Sequence, residues 1–298
     1  MENPLFIGVG VALPTLFNVA GEIDYPALKL LINALIEGRI DFLVPCGTTG
    51  ESPTLSHEEH KEVIDFAVKT AGGRIPILAG TGSNNTRESV ELTESAKKSG
   101  AEGVLSIAPY YNKPMSQGFL DHFREIAKVG LPIMLYDIPG RTAKGVPLEV
   151  IMELAVERTI FGLKWASGDF NQLMTLRSEL SDSFTILSGD DAFTLPAMAL
   201  GAKGVISVAA NVIPEKVKIM CDMILTNDLL TAEKLHYGLL PLFKALFIET
   251  NPIALKEALA LMYPDYFSPE LRLPMSRMEE KNLLKLKEVL KDLRLISQ

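Results

Sequence analysis

The chain has little of several things that would point away from a globular enzyme. It has two cysteines in 298 residues, Cys46 and Cys221, each in an apolar stretch, far apart and with no CxxC pair. They read as reduced core thiols of a cytoplasmic protein, not as a disulfide framework. No run of Lys and Arg suggests a basic face, and the formal net charge is −8, so nucleic acid is not an expected partner. No apolar run approaches the roughly 20 residues needed to span a bilayer. The opening segment, Met1 to Phe17, carries an acid before a short apolar run and has neither the basic start nor the small-residue cleavage site of a signal peptide. Gly8-Val9-Gly10 lacks the third glycine of a dinucleotide-binding loop.

What the chain does have is an alternation of short β-rich runs with helix-length amphipathic segments. Eight nearly continuous apolar runs are expected as strands: Phe6–Ala12, Phe42–Cys46, Ile75–Ala79, Gly103–Ala108, Ile133–Tyr136, Ile160–Trp165, Phe184–Leu187 and Gly204–Val208. Runs rich in Val, Ile and Leu without alternation fit strands covered on both faces. Helix starts are marked by Ser56-His57-Glu58-Glu59, a capping-box pattern, and by the similar Asn85-Thr86-Arg87-Glu88. Eight β-then-α units in about 210 residues predict an α/β fold, a (β/α)8 TIM barrel. Four helices, Pro214–Leu225, Thr231–Glu249, Pro252–Met262 and Ser276–Leu293, are expected beyond the last strand. We therefore expect a catalytic barrel over residues 1–213 and a helical extension over 214–298, packed together as one unit.

Chemistry in such a barrel sits at the carboxyl ends of the strands. Those ends carry Gly47-Thr48-Thr49-Gly50-Glu51-Ser52, Gly80-Thr81-Gly82, Pro109-Tyr110-Tyr111-Asn112, Tyr136-Asp137 with Arg141, and Ser188-Gly189-Asp190-Asp191. Lys164 lies inside an apolar strand. Burial of an amine lowers its pKa and supplies the neutral nucleophile that attacks a ketone; an outward-snorkelling edge lysine or a buried ion pair would also fit. The Gly-Thr-Thr-Gly turn can offer backbone N–H groups and hydroxyls to a carboxylate, or be only a tight connection. Arg141 suits bidentate capture of a carboxylate or a surface ion pair. The tyrosines can relay protons or simply pack. His57 and His60 miss the HExxH zinc spacing by one residue, and none of the four histidines, His57, His60, His122 and His236, falls at a strand end, so no metal site is expected.

Taken together, these segments resemble the dihydrodipicolinate synthase family of pyruvate-dependent class I aldolases. The resemblance is carried by Gly47 to Ser52, Pro109-Tyr110-Tyr111-Asn112-Lys113-Pro114, Tyr136-Asp137-Ile138-Pro139-Gly140-Arg141-Thr142, Gly162-Leu163-Lys164, Leu187 to Asp191, Gly204-Val205-Ile206-Ser207 and Glu249-Thr250-Asn251-Pro252-Ile253, in order from about Phe6 to Pro274. It implies a Schiff-base lyase that condenses pyruvate with L-aspartate 4-semialdehyde, with no cofactor, usually as a homotetramer built as a dimer of dimers. Lys164 matches the imine-forming lysine. Tyr136, Thr48 and Tyr111 match the proton relay, with Tyr111 supplied across a dimer interface. Thr49 matches the pyruvate carboxylate site, Arg141 the semialdehyde carboxylate site, and Gly189 and Ile206 line the same pocket. Ser52, Pro53, His57, His60, Asn84, Glu88 and Tyr110 match the site at which L-lysine inhibits family members.

Sister enzymes of the same group, N-acetylneuraminate lyases and keto-deoxy sugar-acid aldolases, share the lysine and the tyrosine. They lack an arginine at the place of Arg141 and usually the Tyr110-Tyr111 pair. Two departures from the family pattern are Trp165, where Glu is usual, and Asp137, where Asn is usual. Alternation along the strand predicts that Trp165 points away from Lys164, whereas Asp137 is expected to alter the charge of the pocket.

Overall fold

The computed structural model describes residues 4–297, so the first three residues of the expected barrel unit and the last of the extension lie outside it. Eight parallel strands are present: β1 (Gly8–Ala12), β2 (Phe42–Val44), β3 (Leu78–Gly80), β4 (Gly103–Ile107), β5 (Ile133–Asp137), β6 (Gly162–Trp165), β7 (Thr185–Ser188) and β8 (Gly204–Ser207). They pair in the order β2-β1-β8-β7-β6-β5-β4-β3. The remaining seam closes through Leu43 N–H to Pro76 O (3.0 Å) and Gly80 N–H to Pro45 O (2.9 Å). The result is a TIM barrel, as expected. Every strand is buried along its length, apart from the partly exposed Ile107 at the end of β4, which is why the strand sequences are apolar runs and not alternations.

The helices are α1 (Tyr25–Glu37), α2 (His57–Ala71), α3 (Thr86–Ser99), α4 (Ser116–Ala127), the single turn α5 (Pro139–Thr142), α6 (Leu148–Val156), α7 (Phe170–Glu179), α8 (Thr194–Ala199), α9 (Pro214–Leu225), α10 (Leu229–Ala245), α11 (Ile253–Met262) and α12 (Glu280–Asp292). The Ser56 capping box is present: Glu59 N–H donates to Ser56 Oγ (3.1 Å), and Ser56 N–H donates to Glu59 Oε2 (2.8 Å). Asn85 also caps its helix, through Arg87 N–H (3.1 Å). Its Glu88 does not close a box; it turns to His57 and Ser83 instead.

Helix α9 follows β8 and packs on β1 and α8. It is the helix of the eighth βα unit, so the expected boundary at 213/214 falls before the last barrel helix and not after it. α10 then packs on α9, and α12 packs on both α10 and α11.

Strand bounds differ from expectation mainly at prolines and glycines. The third run was expected at Ile75–Ala79, but β3 starts only at Leu78; Pro76 has no N–H to give a ladder. The second run ends at Val44 because Pro45 follows and Cys46 takes a left-handed conformation (φ 56°).

Candidate active site

Lys164 comes from the middle of β6, with Tyr136 opposite it on β5 and Leu187 on β7. It is 6% exposed, and its Nζ lies 4.1 Å from the centre of the Tyr136 ring. Burial lowers its pKa to about 7, opposed by the Asp191 carboxylate and assisted by Arg141. No carboxylate among the described residues forms an ion pair with it. A desolvated, unpaired amine that is substantially neutral near pH 7 is a competent nucleophile toward a carbonyl carbon. Gly189 makes room for it: a Cβ there would stand 3.1 Å from Lys164 Cε and 2.7 Å from Ala166 Cβ.

Lys164 opens into a cavity of about 680 Å3 at the carboxyl ends of the strands. Thr48, Thr49, Tyr136, Arg141, Gly189 and Asp190 share its wall. The Tyr136 phenol is pushed up to about 12 by burial, with the Thr48 hydroxyl and Arg141 pulling it back down. It is therefore protonated at neutral pH and can donate to an oxyanion or carry a proton. Arg141 is on the single turn α5, where Nη2 donates to Asn251 O (3.1 Å). Thr49 is buried in the turn after β2, and its Oγ1 accepts from Asn251 Nδ2 (2.9 Å). No site role is expected of Asn251 from its motif; it arrives from the extension, 202 residues away along the chain.

Asp191 is a second residue without an assigned role. Its buried carboxylate accepts from Ser207 Oγ (2.5 Å), Val208 N–H (3.0 Å) and Ala209 N–H (2.9 Å). Burial raises its pKa to about 6 against those donors. It ties the turn after β7 to the end of β8, near enough to Lys164 for its charge to favour the protonated amine.

Three expected residues do not reach this cavity. Ile206 is buried one residue short of β8's end, and Val208 takes the wall instead. Asp137 points away from the pocket: its Oδ1 accepts from Val146 N–H (3.0 Å), and burial raises its pKa. The expected change of pocket charge is thus not made through direct lining. Tyr111 is 88% exposed, has φ 68° and is not in the wall of this cavity. Trp165 behaves as alternation predicts, packing outward on Phe170 and Phe193 with ring centres 5.0 and 6.3 Å away.

A second cavity, about 480 Å3, shares Thr48, Tyr136, Arg141 and Asn251 with the first. Ser52, Pro53, His57, His60, Glu88 and Tyr110 line it, so six of the seven residues expected at an inhibitory site converge. Asn84 is not in that lining; its carbonyl is held by Asn112 Nδ2 (2.8 Å). His57 Nε2 lies 3.1 Å from Glu88 Oε1, and Ser83 Oγ donates to Glu88 Oε2 (2.9 Å). His60 Nε2 donates to Gly80 O (2.7 Å), and burial lowers its pKa.

A (β/α)8 barrel with an unpaired amine and a phenol at its mouth is the architecture of an enzyme, and the relatives of this chain define its class as a lyase. The chain belongs to the dihydrodipicolinate synthetase family, which matches residues 5–293. It is 47% identical over 287 residues to 4-hydroxy-tetrahydrodipicolinate synthase of Syntrophotalea carbinolica, covering 96% of this chain and 97% of the relative. The crystal structure of the dihydrodipicolinate synthase from Aquifex aeolicus superposes with a TM-score of 0.95 at 47% identity, over 97% and 99% of the two chains. The enzyme from Cyanidioschyzon merolae, solved with lysine bound, is 37% identical with a TM-score of 0.94, over 98% and 99% of the chains.

Proposed function

We propose that this enzyme condenses pyruvate with L-aspartate 4-semialdehyde through a Schiff base on Lys164, as a 4-hydroxy-tetrahydrodipicolinate synthase of lysine and diaminopimelate biosynthesis. The observation that carries this reading is the buried, unpaired Lys164 amine above the Tyr136 ring, in one cavity with Thr48, Thr49 and Arg141. The neutral amine attacks the pyruvate ketone, and loss of water leaves a protonated imine. That cation withdraws electrons from the adjacent methyl group, so Tyr136 can accept a methyl proton as its own phenolic proton passes on through the Thr48 hydroxyl along the relay, leaving an enamine. The enamine carbon attacks the aldehyde of the semialdehyde, whose carboxylate Arg141 holds. The semialdehyde amino group then displaces Lys164 and closes the ring. The electron sink is the imine itself, so the chemistry needs no organic cofactor and no catalytic metal. A sugar-acid aldolase is less well supported, because Arg141 at the mouth suits a short carboxylated substrate.

Incubation with pyruvate and borohydride, followed by mass mapping, tests the assignment. A reduced pyruvyl group on Lys164 with loss of activity is expected; modification of another lysine, or none, would overturn it.

Tyr111 fits the third position of the relay only if it acts in a neighbouring subunit. A bulky residue in the left-handed region, projected into solvent, supports that role, and with it a homotetramer arranged as a dimer of dimers. Mixing Tyr111→Phe with Lys164→Ala chains should restore part of the activity on subunit exchange.

A second reading concerns regulation: L-lysine occupies the 480 Å3 cavity and inhibits. The convergence of Ser52, His57, His60, Glu88 and Tyr110 supports it, and the shared wall at Tyr136 gives a short path to the relay. Glu88 can neutralise an ammonium group, and Tyr110 can hold a carboxylate. Undiminished initial rates in millimolar lysine would reject this reading. We further propose that barrel and extension work as one structural unit in the cytoplasm; among the described residues, no helix is long and apolar enough to cross a membrane.

A further inference from the structure

The turn that carries Thr48 and Thr49 ends on an unusual residue. Glu51 is not a glycine, yet it sits in the left-handed region (φ 50°, ψ 37°) between two 3-10 turns and is only 3% exposed. Such a conformation persists when its surroundings hold it. The hold comes from the C-terminal extension. Lys256 of α11 is fully buried, and its Nζ meets Glu51 Oε1 and donates to Glu270 O (2.9 Å). The other carboxylate oxygen of Glu51 accepts from Arg272 N–H (3.2 Å). Lys256 Nζ also lies 4.2 Å from the centre of the Phe17 ring.

The segment leading into the same helix grips the turn at a second point. Asn251, about one turn before Lys256, donates to Thr49 Oγ1 and accepts from Arg141 Nη2. One segment of the extension therefore holds Thr49 at one end and Glu51 at the other, with Thr48 in the wall of both cavities.

We propose that Glu51 and Lys256 are a positioning pair through which the extension sets the geometry of the Thr48-Thr49 turn for pyruvate binding and proton relay. The proposal rests on the reaction assigned above. Neither residue touches the reacting atoms; each acts through the turn. A buried ion pair is weak evidence for stability, because desolvation of both charges offsets their attraction. Its geometric consequence, a fixed turn, is the better-supported role here.

The test uses Lys256→Met and the double variant Glu51→Gln/Lys256→Met, which leaves no buried charge if the single variant does not fold. The wild type is first trapped with pyruvate and borohydride; absence of the Lys164 adduct there sinks the reaction assignment and not the positioning pair. With that adduct established, the folded variants should show kcat lowered tenfold or more and KM for pyruvate raised at least fivefold. The pH midpoint of Lys164 trapping should stay where the wild type has it, because the pair is not in the lysine's surroundings. A folded variant with a lower Tm but wild-type kcat and pyruvate KM would overturn the proposal, leaving the pair a purely structural one.

Discussion

The two ends of the barrel solve opposite problems with the same eight strands. At the amino end, Phe6 plugs the opening, edge-on to Phe42 at 5.3 Å and tilted against Phe161 at 5.6 Å. Gly103 is small because a Cβ would come within 2.8 Å of the Phe6 ring. The charges at that end are paired: Asp41 accepts from Val9 N–H (2.7 Å) and faces Lys218 (3.3 Å), which also binds Asp222 (2.6 Å). At the carboxyl end, Lys164 has no ion-pair partner among the described residues, and the Tyr136 phenol is buried well above its ordinary pKa. The described charges at the amino end are paired, whereas the Lys164 amine at the carboxyl end is left without an ion-pair partner, and burial moves its pKa and that of Tyr136.

The comparison breaks most visibly at Lys164. Lys164→Met should lower activity by at least about 10³-fold, since no other described amine is placed to form the imine. It should also stabilise the fold. The folded pKa, about 7, lies below the ordinary 10.5. Between those values the unfolded chain binds more protons, so wild-type stability rises with pH across that window. Well below pH 7 the buried amine is charged and its cost is full. The Tm gain of Lys164→Met should therefore be largest near pH 6 and vanish toward pH 10. A gain independent of pH would mean that the amine is not desolvated. Phe6→Ala is the counterpart at the other end. It should cost about 3–5 kcal/mol of stability in urea unfolding, with kcat unchanged at temperatures where the variant is folded.

Arg141→Ala is smaller and more selective. Losing a charged contact to the semialdehyde carboxylate should cost about 2–4 kcal/mol in kcat/KM for that substrate. The rate of pyruvate trapping at Lys164 should change far less. Equal losses in both steps would show that Arg141 serves the site as a whole through its bond to Asn251.

Much of this division could be read from the chain. Lys164 in Gly162-Leu163-Lys164-Trp165 signals a buried amine, and the polar clusters after each apolar run mark the carboxyl ends of the strands. The bounds of α9 match the expected Pro214–Leu225 because Pro at its first position and the apolar period mark it clearly. What local pattern could not show were contacts between distant segments. Asn251 on Thr49 and Lys256 on Glu51 join the turn after β2 to the extension. Lys256 looks like any helical lysine until the fold buries it. Asp191 was visible as an acid at the end of β7, but its three donors come from the end of β8. Ile206 and Val208 lie two residues apart on one run, and only the depth of the cavity decides which reaches it.

The smallest expected effect lies on the carboxyl side of the barrel but outside its lumen. Asp137 ends β5 beside Trp165 and points toward the α5–α6 connection, where Oδ1 accepts from Val146 N–H. Asn can keep that bond. The second oxygen is buried without a hydrogen-bond partner, although the Gln172 side chain beside it favours the charged form. Gln172 in turn accepts from Ser167 Oγ (2.9 Å), so it cannot freely turn its own carbonyl toward a new amide. Asp137→Asn therefore removes a costly charge but sets two amide donors against each other. The net change in stability should stay within about 1 kcal/mol. Its sign should depend on pH. Burial raises the folded pKa above the ordinary carboxylate value, so the folded chain binds more protons, and wild-type stability is lost as pH rises through that pKa. The Tm of the variant relative to wild type should accordingly be more favourable at pH 7 than at pH 4. KM for pyruvate and for the semialdehyde should remain within twofold, because the carboxylate lines neither cavity. A fivefold change in either would show that its charge reaches the pocket through the strand, and the line between the paired and unpaired ends of the barrel would have to be redrawn around β5.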